Sequence, residues 1–206
     1  KRCEKDWLEF ARTNHIAPHI HVIIVGDSPP SHLYVNKKIE ACERVGVLST
    51  VHRFKSATTQ TLIRLINTLN NTDSCHGILV QCPLPEDVDT AKVLQHINPQ
   101  KDIDGFHCEN RGAHLLGLPC FVPCTALGID RLLRYYQVCL TGKNVAIIGR
   151  SAVVGLPTFV SLQSQGATVS LFHAQSNMDN VLWKDFDIVV LATGSDLSSL
   201  APKFCA

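Results

Sequence analysis

The fold of this chain is decided by one stretch, Val145-Ala146-Ile147-Ile148-Gly149-Arg150-Ser151-Ala152-Val153-Val154-Gly155. The apolar run at its start predicts a buried strand, and the glycine-framed turn that follows predicts the beginning of a helix. Backbone N–H groups and the helix dipole at such a turn favour a phosphate group. The turn departs from Gly-x-Gly-x-x-Gly, so the alternative is a strand-to-helix turn that needs glycine only for its backbone angles. Arg150 favours the phosphate, because a guanidinium can pair with an additional phosphate group.

The same alternation of short apolar strands and helices extends over the rest of the chain. It predicts an α/β fold with mostly parallel sheets. We expect two α/β lobes, residues 1–122 and residues 123–206. The predicted strands are 21–26, 51–54, 77–80, 145–148, 168–172 and 188–192. The candidate helix N-caps are Ser31, Thr58 or Thr59, and Thr125.

Tyr34 and Lys38 stand four residues apart on the first predicted helix and therefore share one face. That helix begins at the carboxyl end of a strand, where open α/β sheets form their ligand crevices. Gln81 follows another predicted strand, so its amide can meet Lys38 at the same edge. A lysine beside a neutral amide and partly removed from water suits acid and base chemistry. The alternative for an arbitrary Tyr-x-x-x-Lys pair is a solvated amphipathic surface.

Paired acids precede a glycine in the stretch Lys101-Asp102-Ile103-Asp104-Gly105. Asp102 has an alternative interpretation as the cap of a turn. Asp104 is a candidate acceptor for a ring that carries amino and amide N–H donors. The spacing that follows does not match a structural zinc site, so we expect no metal. The residues assigned instead to packing or loops are His107, Cys108 and His114.

The composition argues against several classes of protein. A net charge of +1 over 206 residues provides no general electrostatic case for binding nucleic acid or an anionic membrane. No apolar run approaches the roughly 18 residues of a membrane-spanning helix. Nine cysteines without a Cys-x-x-Cys pair favour free thiols over a disulfide framework. We therefore expect a reducing compartment, either the cytoplasm or the mitochondrial matrix.

Five ordered segments of the chain resemble the bifunctional methylenetetrahydrofolate dehydrogenase/cyclohydrolase family. They cover most of the sequence from about His21 to Gly194, and five segments in order are more specific than any one of them. The segments are Val25-Gly26-Asp27 with 31–38, then 77–85, 99–107, 123–125, and the stretch from Gly149 to Pro157.

The resemblance implies a folate-binding N-terminal lobe and a Rossmann-type C-terminal lobe that binds NADP, or NAD as in some relatives, with the substrate in the cleft between them. It implies oxidation of 5,10-methylenetetrahydrofolate to the methenyl form and hydrolysis of that form to 10-formyltetrahydrofolate, by a homodimer. By the same resemblance Lys38 transfers protons, and Gln81 tunes the reactivity of Lys38. Tyr34 stacks on the folate, and Asp104 holds the pterin ring. The residues implied to bind the cofactor are Gly149, Arg150, Ser151, Gly155, His173 and Thr193.

The sequence also departs from the family pattern. A strand with Asp-Val-Gly and a Pro-Val-Pro-Gly-Gly-Val-Gly loop would follow Ala206, so we expect a truncated nucleotide lobe. The family's Cys-His-Ser occurs as Phe172-His173-Ala174, which removes a hydroxyl that can contact phosphate. These departures support a second hypothesis, a non-catalytic homologue that acts as a folate-binding or assembly partner. The short-chain dehydrogenases also use Tyr-x-x-x-Lys, but there the glycine motif precedes the pair.

Overall fold

The structure is a computed structural model that describes residues 8–11, 13 and 17–194. The chain forms two compact units, residues 1–103 and residues 104–206. Each contains a sheet of parallel strands with helices between them, which confirms the α/β fold class. The predicted boundary between residues 122 and 123 stays a prediction. The part of the predicted nucleotide lobe that follows Gly194 lies outside the described residues.

The first unit is built on a three-stranded parallel sheet in which the strand His19–Val25 (β1) lies between Leu48–Phe54 (β2) and Gly77–Val80 (β3). Residues 8–11 and 13 are helical and precede it. Short turns lead from the first two strands to the helices that follow them, whereas a longer loop, residues 81–89, follows the third strand. The elements are β1 His19–Val25, α1 Pro29–Arg44, β2 Leu48–Phe54, α2 Thr59–Asn70, β3 Gly77–Val80 and α3 Thr90–Leu94.

Strand β1 has an apolar cluster on each face, because successive side chains of a strand point to opposite sides. Ile23 and Val25 belong to a cluster that also contains the buried side of α2. Val22 and Ile24 pack in a second cluster with Val35 of α1. All four strand residues are at most 5% exposed. Burial on both faces fixes β1 as the central strand between two helices.

Two of the predicted helix N-caps are wrong. Helix α1 begins at Pro29 with Ser28 in the N-cap position, and Ser31 is buried inside the helix. Proline is well suited to the first turn, since its missing N–H would have no partner there. The helix predicted from Thr125 begins at Cys124 after Pro123, without a side-chain cap. The prediction for α2 is confirmed: the Thr58 side chain accepts a hydrogen bond from the N–H of Thr61.

The second unit contains a three-stranded parallel sheet in which the strand Asn144–Ile148 (β4) lies between Thr168–Phe172 (β5) and Ile188–Leu191 (β6). Its apolar core lies between β4 and the helix that follows it, Gly155–Gln163 (α6), with Val145, Ile147 and Leu162 at the centre. A smaller cluster around Trp183 covers the other face. The elements are α4 Cys108–Leu115, α5 Cys124–Tyr135, β4 Asn144–Ile148, α6 Gly155–Gln163, β5 Thr168–Phe172, a 3-10 turn Trp183–Asp185 and β6 Ile188–Leu191.

Helix α4 has no counterpart among the elements predicted from the sequence. Its histidines explain why it forms: the ring of His107 accepts a hydrogen bond from the N–H of Glu109 and caps the helix. Near its other end, His114 Nε2 lies 3.0 Å from Ser161 Oγ of α6. Burial lowers the pKa of His114. The two histidines thus serve local structure in this unit.

Within the described ranges, no helix is both long enough and apolar enough to cross a membrane. The same part of the chain contains no group of three or more histidine, cysteine or acidic side chains arranged to hold a metal ion.

Candidate functional site

Lys38 and Gln81 meet at the carboxyl edge of the first unit's sheet. Lys38 lies on α1, which follows β1, and Gln81 directly follows β3. The ammonium Nζ of Lys38 donates a hydrogen bond of 3.2 Å to Gln81 Oε1. The contact that the sequence predicted between these two side chains is therefore present.

The Gln81 amide is held in one orientation by its neighbours. Its Nε2 donates to the carbonyl oxygen of Cys82 at 2.9 Å, and its backbone N–H donates to the carbonyl of Ile23 at 2.8 Å. Only Oε1 then faces Lys38, because the reversed amide would place its NH2 group against the ammonium and its oxygen against a carbonyl. The carbonyl of Cys82 is a functional contact that sequence reasoning missed, since residue type predicts no main-chain contact.

Lys38 has a neutral partner rather than a carboxylate. The amide oxygen fixes the position of Nζ by a hydrogen bond without forming an ion pair. Lys38 is half-buried, so its Nζ can still reach a bound molecule. A positioned amine of this kind can take a proton from water and return it to a leaving nitrogen.

Tyr34 provides an aromatic surface one helical turn before Lys38. Its side chain is 59% exposed although the next residue, Val35, is fully buried in the core. An exposed ring on a rigid helix can stack on a planar ligand with little loss of conformational freedom. Tyr34, Lys38 and Gln81 thus lie in the first unit, two on α1 and one after β3.

Asp104 is the first residue of the second unit and is half-buried. The loop that carries it requires glycine at the next position: Gly105 has a φ of 67°, and a Cβ there would collide with the carbonyl oxygen of Phe121. The N–H of Phe121 donates to Asn110 Oδ1 at 3.4 Å. Asp102, in contrast, belongs to the first unit, is 1% exposed and pairs through its backbone with Ile78.

The glycine turn after β4 is built for close backbone approach. Gly149 has a φ of 118°, and a Cβ there would collide with the carbonyl oxygen of Ala192. A Cβ on Gly155 would collide with the carbonyl oxygen of Gly149. Steric contacts therefore require glycine at both positions. The expectation that this turn needs glycine for its backbone conformation is correct. The N–H of Leu156, near the start of α6, donates to the carbonyl oxygen of Ser151 at 3.0 Å, so the beginning of the helix is closed within the turn.

Ser151 holds this turn together. Its Oγ accepts hydrogen bonds from the N–H groups of Val154 at 3.1 Å and Gly155 at 3.5 Å. Arg150 is exposed beside it. A guanidinium at the start of a helix adds a second positive group to the dipole, so the arrangement suits a ligand with more than one phosphate.

His173 and Thr193 follow β5 and β6 at the same edge of the second sheet. The backbone N–H of Gly149 bonds to the carbonyl of Phe172 at 2.8 Å, and Thr193 Cγ2 would lie 3.3 Å from a Cβ on Gly149. The backbone N–H of His173 donates a hydrogen bond of 3.0 Å to Ser176 Oγ. Ser176 was not singled out in the sequence, yet it supplies a hydroxyl in the turn where Ala174 lacks one.

The chain matches two family models. Residues 1–104 match the catalytic domain of tetrahydrofolate dehydrogenase/cyclohydrolase, and residues 123–198 match its NAD(P)-binding domain. Among curated proteins, the bifunctional protein FolD of Nautilia profundicola is 41% identical over 92% of this chain and 67% of its own length. The chain therefore spans about two thirds of that relative.

Solved structures with the same fold include relatives with the same pair of activities in their names. The bifunctional enzyme FolD of Campylobacter jejuni is 41% identical, with a TM-score of 0.87 over 94% of this chain and 69% of that one. The dehydrogenase-cyclohydrolase of Trypanosoma brucei, solved with NADP and an inhibitor, is 31% identical, with a TM-score of 0.87 over 93% of this chain and 68% of that one.

Proposed function

Because the chain belongs to the tetrahydrofolate dehydrogenase/cyclohydrolase family, we propose that it oxidises 5,10-methylenetetrahydrofolate with NADP and hydrolyses the methenyl product to 10-formyltetrahydrofolate. The observation that carries this proposal is the 3.2 Å hydrogen bond between Lys38 Nζ and Gln81 Oε1. It provides a positioned amine at the carboxyl edge of a parallel sheet, where ligands of α/β proteins bind.

The oxidation step requires alignment more than acid or base chemistry. NADP, which Arg150 and Ser151 would hold, would supply the acceptor for the hydride of the methylene carbon. We assign Tyr34 to stacking on the folate, because its ring is exposed on a rigid helix. Holding two reactants in one geometry accounts for a large part of the rate of such a step.

The hydrolysis step uses Lys38 as a proton carrier. After the Lys38 ammonium has released one proton to solvent, its amine takes a proton from water as the oxygen bonds to the methenyl carbon. The resulting tetrahedral adduct loses a second proton to solvent from its hydroxyl, and Lys38 returns the first proton to N5 as the bond between carbon and N5 breaks. One water is consumed and one proton is released overall. Gln81 keeps Nζ at the reacting carbon throughout.

Asp104 and the glycine turn complete the assignment. We assign the pterin ring to Asp104, whose carboxylate can accept hydrogen bonds from amino and amide N–H groups. The residues of the second unit fit NADP, because the exposed guanidinium of Arg150 lies beside the start of α6, where the positive end of the helix dipole also favours phosphate groups. Arg150 favours NADP over NAD, since it offers a guanidinium for the additional phosphate.

The first experiment mixes the purified chain with methylenetetrahydrofolate and NADP and follows the absorbance of the methenyl product. Folded protein that forms no methenyl product would contradict the proposed oxidation. Lys38→Ala is expected to lower the rate of methenyl hydrolysis by about 10²-fold or more, as for loss of a general acid or base, and to spare folate binding. Lys37→Ala removes an exposed neighbouring lysine of the same helix and is the matched control.

A non-catalytic role is less well supported. A binding or assembly partner has no need of an amine held by an oriented amide, yet Lys38 and Gln81 are in contact. The family match covers both domains rather than the folate-binding part alone.

A homodimer in the cytoplasm or the mitochondrial matrix completes the proposal. Sedimentation of the purified chain tests the oligomeric state.

A further inference from the structure

Lys101 ties the segment before Asp104 to the end of helix α2. Its Nζ donates to the carbonyl oxygens of Leu69 at 3.1 Å, Asn70 at 2.8 Å and Thr72 at 2.9 Å. An ammonium group has three N–H donors, so all of them are used. The last carbonyls of a helix lack partners within the helix and lie at its negative end, which makes them good acceptors for a cation.

The main chain of Lys101 is held from the opposite direction by β3. Its carbonyl accepts a hydrogen bond of 2.7 Å from the N–H of Ile78, and the adjacent Asp102 forms a parallel bridge with the same strand residue. The N–H of Lys101 donates to the carbonyl of Asn98 at 2.7 Å. Residue 101 is thus fixed by its side chain on α2 and by its backbone on β3.

Ile103 extends this attachment to the residue before Asp104. A Cβ on Gly77 would lie 2.6 Å from Ile103 Cγ2, so Ile103 occupies space that only glycine leaves free. Ile103 also packs against the buried cluster that contains Val22 and Leu79. The chain therefore reaches Asp104 from an ordered segment and not from a free loop.

We propose that Lys101 is a positioning residue for Asp104. The inference rests on the proposed function in one respect, the assignment of the pterin ring to Asp104. Lys101 itself contacts no reacting group. Its three hydrogen bonds order the residues that precede the carboxylate, and an acceptor that is ordered before binding loses less entropy when the ring binds.

Three variants separate positioning from general stability. Lys101→Met keeps most of the side-chain volume and removes all three donors. Lys101→Arg retains the charge and N–H donors and is the rescue variant. Asn71→Ala is the matched control: Asn71 Nδ2 donates to the carbonyl of Asn67 at 2.7 Å, so this variant removes a side-chain hydrogen bond to a carbonyl of the same helix end.

The first measurement is hydrogen–deuterium exchange of the unliganded full chain, which needs no folate. Lys101→Met is expected to accelerate exchange in peptides covering residues 101–107, while Asn71→Ala leaves those peptides at the wild-type rate. Wild-type exchange of this segment in Lys101→Met would overturn the proposal. If Lys101→Met does not fold, Lys101→Gln, which also loses the ammonium group, takes its place, and wild-type exchange of residues 101–107 in that variant would overturn the proposal.

The second measurement is the affinity for tetrahydrofolate and the KM for methylenetetrahydrofolate. Lys101→Met is expected to weaken both by about tenfold, as for a binding group held too loosely, with kcat and NADP affinity unchanged. Lys101→Arg should recover part of the loss. An equal loss in Asn71→Ala, or a parallel loss of NADP affinity, would indicate general destabilisation and refute positioning. A wild-type chain that binds no folate would refute the proposed function, and hydrogen exchange alone would then decide whether Lys101 orders the segment.

Discussion

The His21 imidazole lies at the amino end of β1 in a stack of three histidine rings. Its Nδ1 is 2.9 Å from His52 Nε2, and the ring centroids of His19 and His21 are 4.4 Å apart. His21 is 9% exposed, and its buried Nε2 has no hydrogen-bond partner among the residues that the structure describes. Burial, with the positive charges of His19, His52 and Lys101, lowers the pKa of His21 to about 4.

This stack predicts that the first unit loses stability in mild acid. A histidine whose pKa is lower in the folded than in the unfolded chain stabilises the fold above its unfolded pKa of about 6.5. That contribution falls as pH drops from about 6.5 towards 4, by at most about 1.4 kcal/mol per pH unit for one proton. Burial lowers the pKa of His52 as well, so its contribution has the same sign.

The measurement is urea unfolding of wild type and His21→Phe between pH 4 and pH 8. We expect a smaller fall of the unfolding free energy with decreasing pH in the variant, because the unfolded chain gains one proton fewer. His96→Gln removes a histidine outside the stack and controls for the change in histidine number. Identical pH slopes in wild type and His21→Phe would refute this prediction.

At the scale of elements, the start of α6 depends on two glycines that touch each other's backbone. The sequence predicted a strand, a turn and a helix here, and all three are present. The mutual approach of Gly149 and Gly155 was not predictable, because it depends on how the helix returns over the strand. The phosphate-binding role of the turn stays a prediction.

Gly155→Ala is expected to weaken NADP binding by about tenfold or more, because the added Cβ collides with the Gly149 carbonyl and displaces the turn that carries Arg150 and Ser151. Fluorescence titration with NADPH measures the affinity. Gly128→Ala is the control: it lies on α5 with no atom within 4 Å of the added Cβ, and alanine stabilises a helix relative to glycine. Equal NADPH affinity in Gly155→Ala and wild type would contradict this account of the turn.

The starts of α1 and α5 illustrate where local patterns are insufficient. A hydroxyl residue before an apolar run predicted Ser31 and Thr125 as caps, yet the helices begin at Pro29 and Cys124. Proline fixes its own φ and lacks an N–H, so it begins a helix without a side-chain cap. In both helices a proline near the start decided the boundary.

At the scale of the whole molecule, the two units have separate apolar cores and separate sheets. A ligand that binds only the folded chain raises the apparent free energy of unfolding by about 2.7 kcal/mol when the free ligand concentration is about a hundred times Kd. NADP is therefore expected to raise the melting temperature of the chain. Arg150→Ala should reduce the shift caused by NADP and leave the shift caused by NAD, since only NADP carries the additional phosphate.

Thermal denaturation with each nucleotide at matched saturation tests this expectation. Arg131→Ala, on helix α5, serves as the control for removing an arginine from the second unit. Equal losses of the NADP and NAD shifts in Arg150→Ala would assign Arg150 to a phosphate that both nucleotides share. No shift with either nucleotide in wild type would contradict nucleotide binding by this chain.

The sequence by itself determined the α/β class, the order of most strands and helices, and the family to which the residues point. These follow from apolar periodicity, glycine turns and ordered motifs, all of which are local properties of the chain. Only the tertiary structure decided the orientation of the Gln81 amide, the three carbonyls bound by Lys101 and the burial of His21. The physical reason is that the partners of Lys101 and His21 lie far from them in sequence, and that the Gln81 and Lys101 side chains bond to main-chain carbonyls, which every residue carries and no sequence pattern distinguishes.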